Sequence, residues 1–306
     1  MKASVNRSAR HRLSPTGHQP EASHRLSAVS YPLSAIRYQL PAIGHTASAI
    51  RLPPILCYHK IERRLELGVT RLSPKRFERQ IERLACAGWT ALGLRDIVAC
   101  VRGERPVGQK EIGITFDDAY RGLRSHAFPV LRAHGFAATC FVITDYAGKL
   151  NRWDVAYGGR RFAHLAWRDM RAWQERGIEF ASHTASHQRL TWLDERSVYN
   201  ELAVSRDAIT QALDVFPGAI SYPFGAARKR EADLAKGAGY DAGFTLAGVW
   251  NRDPMTIERL PVYAWSPPMP GVGMLASLEK AAAVGANRCA VGTSLWKALS
   301  GQTRKH

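Results

Sequence analysis

From residue 52 onward, short apolar runs alternate with segments in which apolar residues recur at helical spacing. The apolar runs predict buried strands, and the helically spaced segments predict amphipathic helices. Because the two alternate, we expect a parallel sheet with helical crossovers. Six or seven such units in about 250 residues favour a closed or nearly closed (β/α) barrel. The predicted strands span residues 55–58, 112–116, 137–143, 178–182, 219–222 and 242–246. The predicted helices span residues 74–87, 120–134, 168–176, 194–213 and 228–236.

Cap and turn residues support several of these boundaries. Ser73 is a favourable N-cap, Pro74 suits the first helical turn, and Gly88 ends the same helix. Asp194 is expected to cap the helix that runs to about residue 213. In a (β/α) barrel the chemistry lies at the carboxyl ends of the strands, so the residues that follow each strand are the candidates for function.

The first fifty residues differ from the rest of the chain. They are rich in Ser, His, Pro, Ala and Arg and hold six basic residues against one acidic residue, with no lasting helical or strand period. Such a segment buries too little apolar area to offset its ordering entropy. We expect residues 1–51 to be a disordered extension or upstream sequence translated from a mis-set start, with a transit peptide as the alternative. Residues 52–306 then form one domain.

Composition narrows the class of protein. The chain has 306 residues, 45% apolar and 23% charged, which excludes a wholly disordered chain, a collagen and a coiled coil. The chain has five cysteines but no Cys-x-x-Cys pair, which argues against a disulfide framework or a cysteine zinc site. We expect most of these cysteines to be small buried hydrophobic residues. The net charge of +17 suits either an ordinary basic surface or an anionic partner, but no nucleic-acid-binding motif is present.

Location is weakly determined by the sequence. No apolar run is long enough for a membrane span, and the first residues lack the apolar core of a secretory signal. These features favour a cytoplasmic protein with no integral membrane segment. The oligomeric state is open.

Two carboxylates, Asp117 and Asp118, directly follow the predicted strand 112–116. Adjacent carboxylates after a buried run are costly unless they are paired, hydrated or bound to a metal. The alternative is an N-cap followed by an acidic residue at the start of the next helix.

Two histidines, His183 and His187, follow the strand 178–182 with three residues between them. Neutral imidazoles at this spacing suit one metal ion, although eleven histidines in the chain make a chance pair a real alternative. No Glu follows His183, so this is not the helical His-Glu-x-x-His site of metalloproteases.

A third strand end carries the turn Tyr222-Pro223-Phe224-Gly225. This segment could be simply a rigid turn. Alternatively, one of its backbone N–H groups could face an oxyanion that develops during a reaction. Together the three strand ends favour one site at the barrel mouth. Two histidines and one carboxylate make an open metal site, and the second carboxylate is free to act as a general base.

These motifs resemble the polysaccharide deacetylases of carbohydrate esterase family four, also called NodB-like deacetylases. The resemblance covers roughly residues 52–265 and includes Leu56-Cys57-Tyr58-His59, Thr115-Phe116-Asp117-Asp118, Ser182-His183 to His187, Tyr222-Pro223-Phe224-Gly225, Ala238-Gly239-Tyr240 and Arg259-Leu260-Pro261-Val262. It implies a distorted (β/α) barrel of the NodB-like deacetylase type. It also implies removal of acetyl groups from N-acetylated or O-acetylated sugars with a divalent metal, usually zinc.

The resemblance also implies roles for individual residues. Asp118, His183 and His187 would ligate the metal, Asp117 would be the general base, and the backbone N–H of Phe224 would help to hold the oxyanion.

Other positions are assigned by hypothesis or depart from the family. Arg259 would support the base or bind substrate. His59 and Trp265, with Tyr222 and Pro223, are candidate substrate contacts, the alternative for His59 being a hydrogen-bonded residue of the rim. Among the other tryptophans, Trp192 and Trp250 could likewise stack on sugars, although most tryptophans are core residues.

Two motifs of the family are missing. The late Leu-x-His motif, whose His supplies a general acid in many members, is absent. The arginine that often precedes the Pro-x-Gly turn and tunes the base is also absent, and Ser221 and Tyr222 stand there.

The sequence therefore predicts a metal-dependent hydrolase that removes acetyl groups from N-acetylated amino sugars of a polysaccharide or oligosaccharide. The expected partner is an acetylated glycan, with no nucleic acid. The alternatives are a catalytically silent glycan-binding relative and a C–N hydrolase of a small non-sugar amide.

Overall fold

A computed structural model describes residues 52–64, 69–152, 161–246, 253–272 and 282 of the chain. The predicted extension over residues 1–51 and Trp250 lie outside the described residues. The proposed domain boundary therefore stays a prediction.

The described residues alternate between strands and helices, as the hydrophobic pattern predicts. The strands are β1 Ile55–Tyr58, β2 Lys60–Ile61, β3 Arg71–Leu72, β4 Thr90–Leu92, β5 Glu111–Phe116, β6 Ala138–Val142, β7 Ile178–Ser182, β8 Ala219–Ser221, β9 Ala242–Leu246 and β10 Ile257–Pro261. The α-helices are α1 Pro74–Cys86, α2 Leu94–Arg102, α3 Leu123–His126, α4 Phe128–Ala133, α5 Trp167–Gln174, α6 Glu195–Leu213 and α7 Lys229–Gly237.

Seven parallel strands close into a barrel. Their order is β1-β10-β9-β8-β7-β6-β5, and the ring closes because β1 also pairs with β5. Strand β4 lies outside the ring, next to the first half of β5. The protein is thus an α/β protein with a seven-stranded parallel barrel, which confirms the predicted distorted (β/α) barrel.

Aromatic rings fill the barrel interior beneath the carboxyl ends of the strands. Phe141 of β6 and Phe244 of β9 come from strands that are not neighbours, yet their ring centres lie 5.3 Å apart. They therefore meet across the barrel. The guanidinium carbon of Arg259 lies 5.1 and 5.6 Å from the centres of these two rings. The two rings therefore pack against the buried guanidinium of Arg259, which extends from β10.

A second apolar layer packs outside the barrel between the strands and α1, α3 and α4. Its centre is an aromatic cluster of Tyr58, Phe77, Phe116 and Phe128, whose successive rings lie 5.2–5.9 Å apart. All four side chains are buried. The ends of β1 and β5 are therefore anchored from behind, and this fixes the residues that follow them.

Several predicted elements are confirmed with little change. Strands β1, β7 and β9 have the predicted bounds, and α6 begins after Asp194, whose carboxylate accepts the N–H of Ser197 at 2.7 Å. Ser73 is the N-cap of α1, but its side chain makes no cap hydrogen bond. Of the cysteines within the described residues, Cys57, Cys100 and Cys140 are buried as expected, whereas Cys86 is exposed.

The predicted helix over 120–134 is wrong. The chain instead forms two short helices, α3 and α4, which are separated at Ala127. Pro129 in the first turn of α4 has no N–H for a continuing helix, so it starts a new one. Tyr120 is not helical but pairs with His164 in an antiparallel bridge. None of the described helices combines the length and the apolar character needed to cross a bilayer.

Candidate metal and hydrolytic site

The predicted site residues from three strands meet at one end of the barrel. Asp117 and Asp118 follow β5, His183 and His187 follow β7, and Arg259 lies within β10. All five side chains are buried. The helix-capping alternative for the two carboxylates is wrong, because the next helix, α3, begins only at position 123.

Asp118, His183 and His187 form a compact group that could hold a metal ion. The Oδ1 atom of Asp118 lies 3.5 Å from His183 Nε2 and 3.7 Å from His187 Nε2. These contacts are longer than ordinary hydrogen bonds, and this buried Oδ1 has no hydrogen-bond partner. Two ligands of one tetrahedral zinc ion lie about 3.4 Å apart. An orphaned carboxylate oxygen facing two imidazole nitrogens at this spacing fits a divalent metal ion.

Neighbouring backbone groups orient these ligands. The Nδ1 atom of His183 lies 2.7 Å from the carbonyl oxygen of Ser221, which leaves Nε2 directed at Asp118. His187 has a positive φ of 61°, and its N–H donates to Thr184 Oγ1 at 3.1 Å. A ligating histidine whose other nitrogen donates to a carbonyl has a fixed tautomer and ring orientation.

The loop that carries Asp118 is held in an unusual conformation. Asp118 and Ala119 have φ angles of 68° and 51°, in the left-handed region that non-glycine residues rarely adopt. His164 Nδ1 lies 2.5 Å from the carbonyl oxygen of Asp118, and the N–H of Leu165 donates to Ala119 at 2.8 Å. The segment that includes His164 therefore pins the strained loop and the carboxylate on it.

Asp117 is paired with a buried arginine. Its Oδ1 and Oδ2 atoms accept hydrogen bonds of 2.8 Å from Nη1 and Nη2 of Arg259. The same guanidinium donates to Thr115 Oγ1 at 3.1 Å and to Ser221 Oγ at 2.8 Å, and the Ser221 hydroxyl donates to Asp117 at 3.1 Å. Two parallel N–H···O bonds hold the Asp117 carboxylate in one plane.

The charges of the site determine which groups are ionised. Burial raises the pKa of Asp117, but the charges of Arg259 and His183 outweigh it and lower the pKa well below its usual value. Burial lowers the pKa of His183, whereas the charge of Asp117 raises it, with a net rise. Asp117 is therefore a carboxylate at neutral pH.

His59 and Cys57 lie beside Asp117 at the end of β1. One ligand-type atom from each of the three residues lies within 4.8 Å of the others, and Cys57 Sγ is 3.4 Å from Asp117 Oδ2. The Nδ1 atom of His59 is buried and has no hydrogen-bond partner, which does not support a rim residue fixed through that nitrogen. Burial lowers the pKa of His59 and raises that of the Cys57 thiol.

The turn after β8 brings Phe224, but not the Tyr222 side chain, to the site. Phe224 has a φ of 61°, and its ring centre lies 4.9 Å from that of His187. Tyr222 is fully buried in an apolar cluster with Ile220 and Leu202, where its hydroxyl has no hydrogen-bond partner. Only its backbone is therefore left for contact with a substrate. Pro223 is also buried.

Trp265 is 54% exposed and packs on Tyr263 with ring centres 5.0 Å apart. Among the described residues, no ring contact or hydrogen bond joins Trp265 to Asp118, His183 or His187. Sequence reasoning missed Ser221, Cys57 and His164 as parts of the site. Cys57 stands inside the motif Leu56-Cys57-Tyr58-His59 and Ser221 directly precedes the turn over 222–225, so their positions were usable signals. Nothing in the sequence around His164 marks it.

Comparison with known proteins agrees with this geometry. Residues 104–243 match the model of the polysaccharide deacetylase family. The chain is 29% identical over 201 residues to YxkH of Bacillus subtilis, which bears the name of a polysaccharide deacetylase, covering 65% of this chain and 67% of that protein. It is 24% identical to the poly-β-1,6-N-acetyl-D-glucosamine N-deacetylase of Staphylococcus aureus, covering 57% of this chain and 61% of the enzyme, so it spans less than two thirds of that relative.

A solved structure shows the same fold. The deacetylase PplD of Streptococcus pyogenes, solved with acetate, superposes with a TM-score of 0.62 at 22% identity and covers 71% of this chain and 94% of that one. The matched family model, the curated relatives and the shared barrel agree with the motifs at the strand ends. The matched part of the chain, residues 104–243, thus belongs to the polysaccharide deacetylase family, the NodB-like proteins of carbohydrate esterase family four.

Proposed function

We propose that the protein is a metal-dependent deacetylase that removes acetyl groups from N-acetylated amino sugars of a glycan. The observation that carries the proposal is the pairing of two carboxylates with different partners. Asp118 faces two histidine nitrogens through an orphaned oxygen, whereas Asp117 is held by Arg259. One carboxylate is thus free to ligate a metal, and the other is free to handle a proton.

Asp118, His183 and His187 would hold the metal, and a carboxylate with two imidazoles suits Zn²⁺. A zinc ion bound there would polarise the acetyl carbonyl and lower the pKa of a water molecule toward about 7. Asp117, ionised at neutral pH, would take the proton of the attacking water. Arg259 would keep this carboxylate ionised and in plane.

The N–H of Phe224 is assigned to the oxyanion. In this turn Pro223 has no N–H, and the N–H groups of Gly225 and Ala226 donate to carbonyls at 2.9 and 3.2 Å. Phe224 has a left-handed conformation, and its ring contacts that of His187, one of the proposed metal ligands. A preorganised donor at this point would stabilise charge that develops on the acetyl oxygen.

His59 is our candidate for the proton donor that the missing late motif would supply. It lies within 4.8 Å of Asp117, and its buried Nδ1 is unpartnered. Burial lowers the pKa of His59, so a protonated His59 would readily give up its proton, whereas burial raises the pKa of the neighbouring Cys57 thiol, which keeps its own. His59 would therefore pass the proton from Asp117 to the leaving sugar amine.

The full chain should be tested for bound metal and for acetate release from N-acetylglucosamine oligomers, with and without chelator. We expect one bound zinc and chelator-sensitive release, which Asp117→Asn and His183→Ala both abolish. The exposed residues Asp207 and His134 offer matched controls, Asp207→Asn and His134→Ala, which should retain activity. Bound metal without release from any oligomer would favour a silent glycan-binding protein, and absence of metal would refute the site.

The role of His59 has its own test. In His59→Ala we expect hydrolysis of the N-acetyl substrate to fall about 100-fold or more, because the amine leaves without a proton. Hydrolysis of an activated aryl acetate should change little, because its leaving group needs no proton. An equal loss on both substrates would mean that His59 acts in some other way.

A further inference from the structure

Arg189 lies at the edge of the site next to the exposed Trp192, and Arg228, which precedes α7, is close enough for its charge to act on Arg189. The guanidinium carbon of Arg189 lies 5.4 Å from the ring centre of Trp192 and 5.6 Å from that of Phe224. Phe224 in turn contacts the ring of His187. The Phe224 ring therefore lies between Arg189 and His187, a predicted metal ligand. Arg189 itself packs between the rings of Trp192 and Phe224.

Neither guanidinium group forms a salt bridge in the described part of the chain, although the backbone N–H of Arg228 donates to the Glu231 carboxylate at 2.8 Å. No carboxylate within residues 52–64, 69–152, 161–246 and 253–272 lies in salt-bridge range of Arg189 or Arg228. Their neighbour Arg230, by contrast, pairs with Glu231. Partial burial and the like charge of Arg228 lower the pKa of Arg189. Arg228 is exposed, whereas Arg189 is partly buried beside this like charge without a salt bridge, an arrangement that opposes folding.

The same edge offers a rigid apolar surface. Arg230 Nη2 donates to the carbonyl oxygens of Leu190 and Leu193 at 3.3 and 2.9 Å and so fixes the turn that bears Trp192. The Trp192 side chain is 48% exposed. An indole face held beside guanidinium donors matches a sugar ring that carries an anionic group.

We propose that Arg189, Arg228 and Trp192 form a subsite for an anionic sugar, one that bears a carboxylate or a phosphate and adjoins the acetylated sugar of the glycan. Guanidinium groups recognise both kinds of anion through paired N–H donors. The net charge of +17 would draw such a polymer toward the protein. The inference rests on the proposed function, because it names the neighbour of the sugar that is deacetylated.

The test compares acetylated oligosaccharides of equal length in three forms: neutral N-acetylglucosamine oligomers, oligomers that alternate with a uronic acid, and oligomers that bear a phosphate. For each, kcat/KM is measured from acetate release and Kd from calorimetry. The variants are Arg189→Gln and Arg228→Gln, with Arg83→Gln on the exposed face of α1 as the charge-matched control.

We expect the wild-type protein to prefer one anionic oligomer over the neutral one by about tenfold, the effect of one charge-assisted hydrogen bond that is partly exposed. The preference should fall toward unity in Arg189→Gln and Arg228→Gln, persist in Arg83→Gln, and weaken as salt is raised. Which anionic oligomer is preferred identifies the group that the subsite takes.

Equal kcat/KM and Kd for neutral and anionic oligomers in the wild-type protein would overturn the subsite while leaving the deacetylase intact. A preference that neither substitution reduces would also overturn it. If no oligomer releases acetate, the Kd values still decide: tighter anionic binding that is lost in both variants would support the subsite even though the proposed function had failed.

Discussion

Replacing Arg259 by methionine tests how the site holds a buried charge. The side chain is 1% exposed and makes two 2.8 Å hydrogen bonds to Asp117, with further bonds to Thr115 and Ser221. Methionine retains contact with the rings of Phe141 and Phe244 but leaves the carboxylate buried without a counter-charge. Breaking a buried pair from one side destabilises a protein by about 3–5 kcal/mol.

The loss should depend on pH in a defined direction. In the wild-type protein the pKa of Asp117 is lowered, so its contribution to stability is present above its unfolded value of about 3.9 and disappears as the pH falls through the folded value. Without Arg259, burial dominates and raises this pKa, so the variant loses stability as the pH rises above about 4. The gap between the two proteins should therefore widen from about pH 5 to about pH 8.

Urea unfolding of the chelator-treated proteins at these two pH values measures the gap. The double variant Asp117→Asn/Arg259→Met should recover more than half of the loss, because it removes the unpaired charge. A buried carboxylate without a counter-charge must destabilise the protein. The reasoning would therefore be refuted by a loss of stability below about 1 kcal/mol at both pH values. A loss that the double variant does not recover would refute it as well.

Three further predictions concern the surroundings of the site. His164→Leu should weaken zinc binding by about 10–100-fold, because it removes the hydrogen bond to the Asp118 carbonyl, and His164→Asn should restore part of the affinity. Competition with a zinc chelator measures both affinities. Zinc affinities equal to that of the wild-type protein would rule out a positioning role for His164. Tyr222→Phe should raise the free energy of unfolding by about 1 kcal/mol, because it removes a buried hydroxyl that has no partner, and it should leave KM unchanged; a lower Tm or a raised KM would contradict the burial argument. Gly243→Ala should lower the free energy of unfolding by about 1–3 kcal/mol or more, since a Cβ there would lie 2.2 Å from the Met255 carbonyl oxygen and 2.5 Å from the Tyr222 hydroxyl; a Tm equal to that of the wild-type protein would show that the backbone moves aside.

Much of the barrel follows from local signals. The apolar runs at 178–182 and 242–246 lie between turn residues, so both strand and bounds are predictable from the sequence. Strand β10 was missed because Glu258 and Arg259 interrupt its apolar pattern. Arg259 points into the barrel, where its charge is paired, and such pairing depends on residues far away in the chain.

The parts of the site that lie in sequence motifs were predictable. The parts that depend on contacts between distant residues were not. The motifs place Asp118 with His183 and His187, and the structure brings these three together. The bidentate bond between Asp117 and Arg259 joins β5 to β10, two strands that lie on either side of β1. The hydrogen bond from His164 comes from an irregular segment, for which hydrophobic periodicity carries no information.

The pairing of β1 with β10 has a consequence for how the protein is made. Leu56 and Leu260, partners in the barrel wall, are roughly two hundred residues apart in the chain, so the ring can close only when nearly all of the domain has left the ribosome. The proposed metal ligands emerge by position 187, and Asp117 earlier still, long before Arg259 is synthesised. During translation the Asp117 carboxylate therefore exists before its counter-charge, and β10, the last strand of the described residues, completes the pair that makes its burial favourable.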